Sequence, residues 1–96
     1  MRIDLQEGFN NDAVEIYVDG DKVLEREGVT TKRTLGFALS HELDISEETV
    51  EIEINVPTQN LSKSFSVDLS DTPYVGISIQ NGDFDIIKSR KRFGYA

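Results

Sequence analysis

Ninety-six residues with a net charge of −8 and no cysteine suit one domain with a thin core and no disulfide or thiolate–metal staple. The apolar content of 38% and charged content of 29% exclude a disordered chain, and no run approaches the roughly 18 apolar residues of a membrane-spanning helix. An acidic body of this kind opposes nucleic acid and anionic membrane surfaces through its overall field, so neither is expected as a partner.

Taken in order, the chain alternates with a period of two, the mark of strands with one buried and one wetted face. MRIDLQEGF carries charge at positions 2, 4 and 7, has no leader-like apolar stretch, and reads as a strand over 2–6. With the absence of cysteine, it favours a reducing, cytoplasmic location. In 13–18, Val14, Ile16 and Val18 share a face opposite Glu15, Tyr17 and Asp19. Asp19-Gly20 then suits a two-residue turn with φ > 0 at both positions, leading into a strand over 22–27.

GVTTKRT, with the adjacent cations Lys32 and Arg33, reads as a connection between sheets. A long strand is expected over 34–44, with Leu35, Phe37, Leu39 and Leu43 on one phase. The one histidine, His41, shares that phase and reads as a core-margin residue, since a lone ligand does not fix a metal. VEIEINV gives a clear strand over 49–56, and PTQN after it reads as a second sheet-to-sheet connection. Strands over 62–69, 74–80 and 84–89 complete the pattern, with Pro73 breaking one run and Asn81-Gly82 forming a second tight turn.

Short strands, regular turns and no helical periodicity predict an all-β fold: an antiparallel β-sandwich of seven or eight strands, with a small β-barrel as the alternative. The absence of tryptophan and cysteine excludes an antibody-type core but not a more general immunoglobulin-like sandwich. The domain is expected to run over 1–96, with 90–96 docked as a tail.

No nucleophile–base, metalloprotease or phosphate-loop motif is present, and Ser40 and His41, as strand neighbours, point to opposite faces. The expectation is a chain that is not an enzyme and takes no cofactor. Acidic groups at Asn10–Asp12, Asp19/Asp21 and Asp68/Asp71 suit turn chemistry better than a calcium site of six to eight oxygens. Tyr17 and Tyr74 are thin support for a sugar platform.

The distribution of charge is more informative. Residues 1–60 hold fourteen of eighteen acids, whereas KSRKRFGYA places Lys88, Arg90, Lys91 and Arg92 within five positions, followed by Phe93 and Tyr95. The aromatic rings are expected to pin the tail while the cations stay in water. The candidate partner-binding residues are Lys32, Arg33, Arg90, Lys91, Arg92 and Tyr95. They point to a non-catalytic binding module for a protein partner, with self-association into a structural homo-oligomer as the alternative.

Overall fold

In the computed structural model, which describes residues 1–95 and leaves Ala96 outside, the alternating segments form eight strands. They are β1 (Arg2–Leu5), β2 (Asp12–Val18), β3 (Asp21–Val29), β4 (Leu39–Glu42), β5 (Thr49–Val56), β6 (Leu61–Asp68), β7 (Tyr74–Gln80) and β8 (Asp83–Ser89). Two open four-stranded sheets result: sheet I in the order β4-β1-β7-β8 and sheet II in the order β3-β2-β5-β6. The arrangement is the expected sandwich, and the sheets do not close into a barrel. Five of the six strand pairings are antiparallel, and β1 with β7 is parallel.

The inward phases supply the core. Val14, Ile16 and Val18 of β2 and Val50, Ile52, Ile54 and Val56 of β5 join Ile3, Leu5, Val75, Ile77 and Ile79 of sheet I in one buried cluster. Each such side chain stabilises the fold by about 1.5–3 kcal/mol relative to exposure. Both hairpin turns take the expected backbone, with φ of 48° and 87° at Asp19-Gly20 and 53° and 76° at Asn81-Gly82.

Two expectations need correction. The strand expected over 34–44 is confined to Leu39–Glu42. The N–H groups of Leu35 and Gly36 both donate to the Lys32 carbonyl, at 3.0 and 2.9 Å, and Gly36 takes φ +64°. That tight turn breaks the apparent alternation and leaves Leu35 exposed. PTQN does not cross between sheets. Pro57–Gln59 forms a 3₁₀ turn inside the β5–β6 hairpin, closed by Asn60 in the left-handed region.

The two inner strands of sheet I are buried on both faces. β7 runs Val75, Gly76, Ile77, Ser78, Ile79 without an exposed residue, and in β1 Asp4 is only 1% exposed between Ile3 and Leu5. A sheet that turned one face to water would not show this pattern. Something covers the outer face of sheet I, and the candidate site lies there.

Candidate functional site

On the outer face of sheet I, Ser40 of β4, Asp4 of β1 and Gly76 of β7 lie side by side in register. Asp4 Oδ1 accepts hydrogen bonds from Arg2 Nε at 2.9 Å and Ser40 Oγ at 2.8 Å. Arg2 Nη2 donates in turn to Ser40 Oγ at 2.8 Å. The second carboxylate oxygen, Oδ2, accepts from the Tyr95 hydroxyl at 2.7 Å, and that hydroxyl accepts from Gln6 Nε2 at 3.1 Å. The Tyr95 ring lies tilted on Phe37, centroids 4.7 Å apart. These contacts dock the tail, and they explain why Asp4 loses contact with water.

Burial first, and then the hydrogen bond to Asp4, push the Tyr95 hydroxyl up to about 12. A half-buried phenol facing a carboxylate resists ionisation because a second negative charge would meet the first. Gly76 supplies the room for this network. The Gln6 amide lies flat over it, so that a Cβ at position 76 would fall 2.6 Å from Gln6 Nε2.

Of the six candidate residues, the five cations separate into two places and Tyr95 lies between them. Arg90 reaches Asp71 Oδ1 at 2.6 Å and Arg92 reaches Glu42 Oε1 at 3.8 Å, with both guanidinium side chains well exposed. Lys91 is exposed as well. Pairs as wet as these contribute on the order of 0–1 kcal/mol. Glu42 is the register partner of Arg2, so these cations sit at the end of sheet I where β1 begins. Lys32 and Arg33 sit past the other end of β1, where Lys32 bridges Phe37 and Ala38 bonds Leu5. The three steps from Arg2 to Leu5 separate the groups by about 10 Å along the strand. Tyr95 spans the gap: its ring meets Phe37 beside the Lys32 turn, while the preceding cations remain at the far end.

Arg33 also lines a cleft of about 430 Å³ with Glu7, Phe9, Asn10, Thr30 and Thr31. Its threonine hydroxyls are already engaged: Thr31 Oγ1 donates to the Gln6 carbonyl at 2.6 Å, and Thr30 Oγ1 accepts from the Asn11 N–H at 2.9 Å.

Comparison with family models, curated proteins and solved structures finds no match.

The acidic groups perform turn chemistry. Asp12 accepts from the Asn10 N–H, Thr58 Oγ1 and Gln59 Nε2. Asp19 Oδ1 accepts from the Glu51 N–H, and Asp68 Oδ1 accepts from the Ser70 N–H and hydroxyl. Among the described residues no group of three or more His, Cys, Asp or Glu is placed to hold a metal ion. His41 pairs with Ile3 at the sandwich margin and is partly exposed.

Burial alone would raise the pKa of Asp12, but the bonds from Thr58, Asn10 and Gln59 together outweigh it and hold the group below its usual 3.8. A depressed carboxylate contributes stability above its unfolded pKa and loses it as pH falls through the folded value. Asp12→Asn is therefore expected to lower stability at pH 7 and to leave a smaller loss on acidification below about pH 4. Urea melts of both chains between pH 2 and 7 check this, and parallel acid limbs would count against it.

Sequence reasoning missed Asp4, Gln6 and Ser78. Their alternating phase assigns them to solvent, but Tyr95, about ninety positions away, meets Asp4 and Gln6, and Gln6 in turn meets Ser78. Tyr95 was the one available signal.

Proposed function

We propose that the chain is a non-catalytic recognition module that binds an acidic segment of a protein partner through Arg90, Lys91 and Arg92. The observation that supports this is the division of labour in the tail. Tyr95 is anchored on Asp4, Gln6 and Phe37, while the three consecutive cations remain exposed on an acidic body. A fixed backbone lowers the ordering cost of binding, and guanidinium forks match carboxylates in bidentate geometry. The surrounding acids repel other anions, so selectivity falls to the presented ridge. Lys32 and Arg33 form a second, separate contact for a partner long enough to follow β1.

Capture experiments with the immobilised full chain test this reading. The Arg90→Glu, Lys91→Glu, Arg92→Glu triple variant is expected to lose a partner that the wild-type chain retains, and about 0.5 M salt is expected to release it by screening. A partner set that is unchanged by charge reversal would contradict the reading.

Self-association is the second reading, and the two edges of sheet II favour it. β3, nine residues long, and β6, eight residues long, each pair on one side only. Unpaired edges invite β-pairing with another chain. Light scattering separates the two readings: an edge-paired oligomer persists in the charge-reversed variant, whereas a monomer supports the ridge.

A further inference from the structure

The outer face of sheet I contains a built slot that is already filled, and the filling is the chain's own segment 90–95. Three contacts hold it: Arg90 on Asp71, Arg92 on Glu42, and Tyr95 on Asp4, Gln6 and Phe37. The slot thus reads an extended Arg-x-Arg-x-x-Tyr segment, two exposed arginine contacts followed by one half-buried tyrosine contact. Asp4 is 1% exposed, and the Oδ2 oxygen that meets Tyr95 has no other protein hydrogen-bond partner among the described residues.

The segment is also separable from the sheet. Residues 90–95 belong to no strand, and among the described residues no backbone–backbone hydrogen bond ties them to sheet I. The link to β8 is a local turn in which Ser89 Oγ accepts from the Lys91 N–H at 3.1 Å and donates to the Lys91 carbonyl at 2.8 Å. The segment can therefore swing out without breaking a ladder bond.

We propose that this slot is an exchange site, and that it takes residues 90–95 of a second copy of the chain in place of its own. The second copy is the occupant because its segment reproduces every contact already seen, including the match of two arginines to Asp71 and Glu42. Exchange leaves the contacts unchanged, so a reciprocal pair is symmetric and closed, and its cost is confined to association and the hinge. This inference stands apart from the ridge reading, since it is the tyrosine that the slot selects.

The test uses the full-length Tyr95→Ala chain, ¹⁵N-labelled, whose slot is open. It is titrated with the acetylated, amidated peptide RKRFGY, and separately with the unlabelled Gly76→Leu chain, whose own slot is closed by the displaced Gln6. Both titrants are expected to shift the Gly76 and Gln6 amide signals, and the peptide RKRFGF is expected to bind at least about tenfold more weakly. Failure of either titrant, or equal binding of the two peptides, overturns the proposal. If Gly76→Leu does not fold, the peptides decide alone. If Tyr95→Ala does not fold, the Tyr95→Phe chain replaces it in the same titrations, and RKRFGY must bind it more tightly than it binds the wild type.

Discussion

Replacing Asp4 with alanine is expected to destabilise the chain by about 3 kcal/mol, the low end for removing one partner of a buried ion pair. Arg2, Ser40 and Tyr95 all donate to this carboxylate, and the side chain is 1% exposed. Removal leaves the Arg2 Nε–H and two hydroxyls without their acceptor, and the Arg2 guanidinium, 20% exposed, recovers part of the loss from water. For a domain of this size the midpoint of thermal unfolding should fall by roughly 12 °C or more. A double-mutant cycle with Tyr95→Phe assigns the effect. Residues in direct contact couple by about 0.5–3 kcal/mol, so the two substitutions together should cost measurably less than their sum. Additive losses would show that the tail does not use Asp4.

Gly8→Ala should cost about as much for a different reason. Gly8 holds φ +89°, and a Cβ built there lies 2.0 Å from the Ile79 carbonyl oxygen and 2.8 Å from its carbon. The two backbones are tied at that point, because Ile79 N–H donates to the Glu7 carbonyl at 2.8 Å. Neither side is a flexible tip that can move aside. Left-handed strain of about 1–2 kcal/mol adds to overpacking of about 1–3 kcal/mol, so a loss of about 3 kcal/mol is expected. Gly82→Ala is the control. It has φ +76° with nothing within 4 Å of the added Cβ, and so incurs only the conformational strain. Equal urea midpoints for the two variants would remove the packing argument.

The fold was largely legible because the alternation is local. Val50, Ile52, Ile54 and Val56 against Glu51, Glu53 and Asn55 declare a half-buried strand without outside help, and Asn81-Gly82 declares its own turn. The 34–44 stretch misled for the same reason. Leu35, Phe37 and Leu39 keep a strand's phase through a turn whose left-handed Gly36 is a conformation, not a pattern. The parallel pairing of β1 with β7 joins residues some seventy positions apart, and nothing in RIDL names that partner.

The candidate site divides along the same line. Tyr95 and the cations before it stand out in the sequence as an aromatic–basic cluster on an acidic chain. Asp4 and Gln6 do not, since a polar residue on the outward phase is the ordinary case. Their burial follows from the tail, and the tail's docking follows from them. Gly76 belongs to the same arrangement: its missing side chain leaves the space in which Gln6 reaches Tyr95.

The docked tail underlies both the exposed ridge and the filled slot, and ionisation of the Tyr95 hydroxyl reports on it directly. A raised phenol pKa contributes stability below its unfolded value near 10 and loses it as pH rises toward the folded value of about 12. Titration of the chain carrying ¹³C at the tyrosine Cζ, with Tyr95→Phe to assign the signal, should give a midpoint near 12 for Tyr95. A midpoint near 10, the value of a phenol in water, would mean that the hydroxyl does not meet Asp4 and that the tail is not docked.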